Sequence, residues 1–163
     1  MLALTTVALL LAAAPSSADR TPAEKVTLEG RVVVTVPVAY EYEETSLGED
    51  RSLVALRGED GAMVVTVYGG QRPPNRWTAL STHTEELRTR LRAETPNEVR
   101  QRLLGHTVTA RDLRYTVAGA PWRARLVAAN KGRRTIVAVA TWRDASPARE
   151  TLLHAIEAIA VGR

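Results

Sequence analysis

The sequence contains no cysteine and no phenylalanine, and its aromatic residues are three tryptophans and four tyrosines. The absence of cysteine excludes disulfide bonds, thiolate zinc sites, cysteine nucleophiles and a lipid-modified N-terminal cysteine. So few aromatic rings also argue against nucleic-acid binding, which uses rings interleaved with basic residues for base stacking. The fold must therefore be stabilised by a hydrophobic core, for which 45% of the residues are available.

Motifs for catalysis and for phosphate binding are missing as well. The chain has no Gly-x-Ser-x-Gly turn to present a nucleophilic serine and no Gly-x-x-x-x-Gly-Lys-Ser/Thr loop. We therefore predict a protein that is not an enzyme and has no cofactor. An alternative stays open: His83 and Glu86, three residues apart, together with His154 match the residue types of a metal-dependent or hydrolytic enzyme. The same spacing is typical of solvated side chains on a helix, so no metal site is predicted.

The N-terminus has the pattern of a signal peptide. Residues 1–14 carry no charge, and the apolar run 7–14 is too short to cross a bilayer. Ser16 and Ala18 occupy the −3 and −1 positions of a cleavage site before Asp19. We expect a signal peptide over residues 1–18, a single domain over 19–163, and a periplasmic or secreted protein. No later apolar stretch approaches the ~18 residues of a transmembrane helix.

The first half of the remaining chain predicts strands and then helices. A β-branched strand at 31–36 is closed by a proline, and the acidic stretch 40–43 is expected at an edge or in a loop. Strands 52–57 and 62–68 flank a Gly-bounded turn, which predicts a hairpin followed by a mobile loop at 69–75. A helix is expected at 78–93. A second helix is expected to start at Thr95, Pro96 and Glu98, which form a capping box, and to end at Gly105.

The second half predicts an antiparallel meander and a last helix. Strands are expected at 107–117, 121–129 and 135–142, and Ser146 with Pro147 marks the start of a C-terminal helix. Residues 63–67 and 136–140 are apolar at every position except Thr66, which indicates a sheet covered on both faces. We therefore predict an α+β fold, an α/β/α sandwich around one antiparallel sheet of about six strands. Its helical region lies between two strand groups.

Several of these segments also carry a family resemblance. They are the strand 32–36 with Pro37, the helix start at 95–98, the hairpin centred on Gly119, and the terminal stretch 152–156. Their order resembles the Mog1/PsbP-like fold, which includes the PsbP/DcrB-type and DUF1795-like exported bacterial proteins. The resemblance implies a binding, chaperone or assembly role, and it brings no catalytic motif.

The charges are unevenly distributed along the chain. Residues 19–99 hold 10 basic and 14 acidic side chains, whereas residues 100–163 hold 12 basic and 4 acidic ones. The acidic segment 41–50 contrasts with four arginines on predicted neighbouring strands: Arg123, Arg125, Arg133 and Arg134. Two interpretations remain open: the acidic segment pairs with these arginines inside the molecule, or they form a face for an anionic partner.

These patterns together predict an exported, non-catalytic binding or chaperone-like assembly module of the bacterial envelope. The expected binding surface combines the four arginines with Arg72 and Trp77 of the Pro- and Gly-rich loop region. Its expected partner is an envelope protein or an anionic surface, and not nucleic acid. The oligomeric state stays open.

Overall fold

A computed structural model describes residues 23–162. Of these residues 53% are in strands and 19% in helices, so the fold is mostly β. The predicted signal peptide lies outside the described residues. Neither helix between residues 23 and 162 combines the length and apolar character needed to cross a bilayer.

The larger of two sheets has seven strands, all antiparallel, in the order β3-β4-β5-β9-β8-β7-β6. Neighbours in this sheet follow one another in the chain except where β5 pairs with β9. Two meanders are thus joined side by side along one pair of strands. The strands of this sheet are β3 (Glu41–Ser46), β4 (Arg51–Arg57), β5 (Gly61–Tyr68), β6 (Asn97–Leu103), β7 (His106–Val117), β8 (Ala120–Lys131) and β9 (Arg134–Arg143).

The smaller sheet has three antiparallel strands with β2 in the centre. They are β1 (Glu24–Leu28), β2 (Val32–Val36) and β10 (Ala160–Val161). After Pro37 the chain turns through Ala39, whose φ of 69° is left-handed, and the Tyr40 N–H donates to the Pro37 carbonyl at 3.1 Å. This turn directs the following strand, β3, into the larger sheet.

A polar side chain just before each helix accepts a hydrogen bond from the backbone of its first turn. Helix α1 (Arg76–Leu91) starts at Asn75, whose side chain accepts a hydrogen bond of 2.9 Å from the Thr78 N–H. Helix α2 (Ala148–Glu157) follows Pro147, and the Ser146 hydroxyl accepts from the Ala148 N–H at 3.1 Å. The predicted start of the C-terminal helix is therefore confirmed.

The larger sheet lies between two layers. On one face, Val64 and Val139 pack in a cluster with Leu80 and Leu87 of α1. On the other face, alternate residues of the same strands pack against α2 and the smaller sheet, through Ile156 and several valines. The prediction that both faces are covered is confirmed, and so are the hairpin β4–β5, the meander β7–β8–β9 and the edge position of the acidic strand β3.

The predicted α/β/α sandwich with one sheet of six strands is wrong. Two sheets of seven and three strands are present, and the described residues contain two helices. The predicted second helix is strand β6, where Val99 lies opposite Ala110 and Leu103 opposite His106. A four-residue spacing fits both a helix and a strand, and the buried polar Gln101 between them hides the period-two alternation.

The first predicted strand, β2, belongs to the separate smaller sheet. Its two partners were not predicted: β1 is short and polar at alternate positions, and β10 has only two residues, which the sequence places at the end of the C-terminal helix. In β1 the buried residues are Val26 and Leu28, so one face of the strand packs on the core while the other is exposed.

Candidate binding surface

Arg125, one of the predicted binding arginines, is a buried residue that is fully paired inside the molecule. It is 8% exposed, and its Nε and Nη2 atoms donate to Oδ1 and Oδ2 of Asp112 at 2.7 and 2.8 Å. Its Nη1 donates to Oε1 of Gln101 at 3.0 Å. Each of the three guanidinium nitrogens thus has a partner, so Arg125 holds β6, β7 and β8 together and offers no surface to a partner.

Two further predicted arginines are partly engaged. Arg123 donates from Nε to Oδ1 of Asp144 at 2.9 Å, and a third of its side chain is exposed. Arg134 is half-buried and donates from Nη2 to the backbone carbonyl of Glu29 at 3.4 Å. The carboxylates that pair with Arg123 and Arg125 come from the meander and the segment after it. The acidic strand β3 lies at the far edge of the sheet, four strands away from β8.

The other predicted residues, Arg72, Trp77 and Arg133, lie near one another at one end of the larger sheet. A chain of hydrogen bonds connects the segments that carry them. The Thr135 hydroxyl donates to the Pro74 carbonyl and accepts from Asn130 Nδ2 at 2.6 Å, and Asn130 Oδ1 accepts from the Arg76 N–H at 3.0 Å. These bonds fix the 69–75 loop, the β8–β9 hairpin and the start of α1 relative to one another.

Four exposed cations lie on the three segments that these bonds connect at this end of the sheet. We call them, with Trp77, the cationic surface: Arg72, Arg76, Trp77, Lys131 and Arg133. Trp77 is 49% exposed, and the Arg76 guanidinium lies over its ring at 4.8 Å from the centroid. Between residues 23 and 162, no carboxylate forms an ion pair with any of the four cations.

Sequence reasoning missed Arg76 and Lys131. A signal for Arg76 was available, because Asn75 directly before it is a strong N-cap residue and places Arg76 in the first, exposed turn of the helix. Lys131 follows Asn130 in a tight hairpin with a left-handed Gly132, where side chains point to solvent.

A small depression lies beside Trp77. It is lined by Arg76, Trp77, Leu80, Val108, Thr109 and Ala128 and has a volume of about 10 Å³. That volume holds about one water molecule, whereas pockets for small molecules measure roughly 300–1,000 Å³. This surface therefore suits a partner that lies across it.

The residues of the alternative enzyme hypothesis are not brought together. His83 is buried on α1, 2.7 Å from the Tyr68 hydroxyl, and Glu86 is exposed on the same helix. His154 lies on α2, beyond the opposite face of the sheet. Burial, and then the positive charge of Arg51, lowers the pKa of His83 to about 4, so this imidazole is neutral at pH 7. Residues 23–162 contain no group of three or more His, Cys, Asp or Glu side chains able to hold a metal ion.

Comparison with known proteins identifies a similar fold. No family model and no curated protein matches the chain. A crystal structure of a protein from Bacteroides thetaiotaomicron VPI-5482, at 1.50 Å resolution, is similar with a TM-score of 0.51 and 13% sequence identity. The match covers 81% of this chain and 45% of that protein, so this chain spans less than half of its length. The likeness concerns the fold alone, and the Mog1/PsbP-like resemblance stays a prediction.

Proposed function

We propose that this chain is an exported, non-catalytic binding module of the bacterial envelope that holds an anionic partner on the cationic surface. The observation that supports this proposal is the set of four exposed cations at the end of the sheet that carries the half-exposed Trp77, with no carboxylate partner among residues 23–162. Arg123 and Arg125 of the same chain do pair with nearby aspartates. The difference separates arginines with a structural role from those available to a partner.

An acidic segment of a protein fits this surface better than a lipid headgroup layer does. A basic side chain near an anionic leaflet contributes about 1 kcal/mol, so four give about 4 kcal/mol and a Kd of only about 1 mM. Guanidinium groups bind carboxylates through two parallel hydrogen bonds, and a Trp in the centre of an interface is a frequent hot spot. Trp77, with Arg76 over its ring and with Arg72 and Arg133 on the connected segments, provides this combination.

The test is the binding of a fluorescent polyglutamate peptide to the full chain. We expect the triple variant Arg72→Gln, Arg76→Gln and Arg133→Gln to weaken binding at least about tenfold, which is about 1.4 kcal/mol. The matched control removes three exposed arginines elsewhere: Arg114→Gln, Arg143→Gln and Arg149→Gln. We expect this control to retain most of the affinity, and Trp77→Ala to weaken binding without changing the net charge.

Two outcomes would overturn the proposal. Equal losses in both triple variants would mean that the peptide responds only to net charge. Binding to phosphatidylglycerol vesicles without binding to polyglutamate would replace the acidic protein by a lipid surface.

A further inference from the structure

Both edges of the larger sheet lack a further strand among residues 23–162. Strand β3 forms one edge and β6 the other, and no strand among residues 23–162 pairs with the outer side of either. The outer backbone N–H and C=O groups of these two strands are therefore templates for a further strand. The two edges are of similar length, with six residues in β3 and seven in β6.

The two edges carry opposite charge. Strand β3 exposes Glu41 and Glu43. Strand β6 exposes Arg100 and Arg102, and its one acidic residue, Glu98, is already paired with Arg111. None of the four outward-facing residues takes part in an ion pair within residues 23–162.

These charges lie on the same face of the sheet. Glu43 is opposite Ala55, which belongs to the cluster under α1, so Glu41 and Glu43 lie on the α1 face. Leu103 belongs to the cluster on the other face, so Arg100 and Arg102 point to the α1 side as well. On each strand the two charges are two residues apart, which is about 6.8 Å along a strand.

The strand directions allow these charges to pair. Seven antiparallel strands make the first and the last strand run in the same direction. A second copy placed beside the first, with α1 on the same side, therefore aligns its β3 parallel to β6. Pairing across the sheet places Glu43 level with Glu98, so a shift of four residues along the strands brings Glu41 beside Arg100 and Glu43 beside Arg102.

We infer that the chain associates with a second copy of itself, with the acidic edge β3 of one molecule added to the basic edge β6 of the next. Charged edge strands usually prevent such pairing, and like charges on both edges would do so here. Opposite charges on the two edges have the reverse effect, because each edge attracts the other edge of a neighbouring copy. The contact joins two different surfaces, so it extends into chains or rings and does not close as a two-fold dimer.

This association does not depend on the cationic surface or on the proposed binding of an acidic partner. It uses none of Arg72, Arg76, Lys131 and Arg133. The same samples therefore report the two properties separately, self-association by sedimentation and polyglutamate binding by fluorescence.

Charge reversal provides the test. The variant Glu41→Arg with Glu43→Arg has two basic edges, and Arg100→Glu with Arg102→Glu has two acidic edges. We expect the wild-type chain to associate with rising concentration in sedimentation velocity at low salt, and each variant alone to associate at least tenfold more weakly. An equal mixture of the two variants should recover association, because every contact again joins opposite charges.

The mixture shows whether a variant associates weakly because its edges repel each other or because it has lost its fold. Unfolded or damaged variants would not recover association on mixing, and circular dichroism of each variant detects that loss directly. If the charge-reversal variants unfold, Gln variants of the same residues replace them. These remove charge without reversing it and should weaken association to a smaller extent. A wild-type chain that stays monomeric at every concentration, or a folded mixture that associates no more than its components, would overturn the inference.

Discussion

Buried His83 makes the stability of the protein depend on pH. The side chain is 8% exposed and shares a hydrogen bond of 2.7 Å with the Tyr68 hydroxyl. The Arg51 guanidinium lies 5.2 Å from the centroid of the Tyr68 ring. Burial and the charge of Arg51 lower the pKa of His83 from 6.5 to about 4, because both disfavour the imidazolium.

The direction of the effect follows from this lowered pKa. As the pH falls below 6.5, His83 takes up a proton in the unfolded chain but stays neutral in the folded chain until about pH 4. The contribution of the neutral, buried His83 to the free energy of unfolding is therefore complete above pH 6.5 and is lost progressively as the pH falls from 6.5 to 4. At about 1.4 kcal/mol per pH unit, this interval corresponds to a loss of about 3 kcal/mol in the free energy of unfolding.

The assay is urea unfolding followed by tryptophan fluorescence at several pH values between 4 and 7.5. We expect His83→Gln, whose amide keeps a hydrogen-bonding group near Tyr68, to lose most of the pH dependence that the wild-type chain shows between pH 6.5 and 4.5. His154→Gln, at an exposed position on α2, is the control and should behave as the wild type. The carboxylates titrate in all three proteins, so the difference between them isolates His83. Equal slopes for the wild type and His83→Gln would show that His83 does not cause this pH dependence.

Three further substitutions test the buried ion pair and two glycines with a left-handed backbone. Asp112→Ala leaves the Arg125 charge buried without its partner, and we expect a loss of about 3–5 kcal/mol in the free energy of unfolding by urea titration. Gly70 and Gly119 both have a φ of 80°, but a Cβ at Gly70 would lie 2.6 Å from the Asp50 carboxylate, whereas Gly119 has no neighbour within 4 Å. The exposed Asp50 carboxylate can rotate away, so we expect Gly70→Ala and Gly119→Ala each to cost about 1–2 kcal/mol in thermal unfolding through the left-handed backbone, and a clearly larger cost at Gly70 would contradict this.

The parts of the fold that the sequence predicts are those set by local signals. The hairpin β4–β5 has a Gly-bounded turn between apolar strands, and the C-terminal helix has Ser146 and Pro147 at its start. The prediction is wrong at strand β6 because the local signals of Thr95, Pro96 and Glu98 are those of a helix start. Pairing with β7 outweighs that local preference, and the hydrogen bond from Arg125 satisfies Gln101 in the core.

The smaller sheet could not be predicted as a whole because only its β1–β2 hairpin is local, whereas β10 reaches β2 through a long-range contact. Ala160 of β10 pairs with Val33 of β2, so the two ends of the domain complete one sheet. A two-residue strand carries no periodicity of its own. The position of β2 in a separate sheet depends on these partners and on the turn at Ala39.

The candidate surface was predicted in part. Arg72, Trp77 and Arg133 lie at the same end of the sheet because hydrogen bonds through Thr135 and Asn130 connect their segments. Charge clustering along the sequence did not reveal that Arg125 is buried. Its burial depends on the register of three strands, which places a carboxylate and an amide against one guanidinium.

The β5–β9 pairing has a consequence for how the chain folds. Each meander, β3–β4–β5 and β6–β7–β8–β9, forms through contacts between strands that are close in the chain, whereas the eight residue pairs from Gly61–Trp142 to Tyr68–Thr135 close a long loop. We expect the formation of the β5–β9 pairing to limit the folding rate. Its amide protons should then exchange with solvent only through global unfolding, and those at the sheet edges should exchange first.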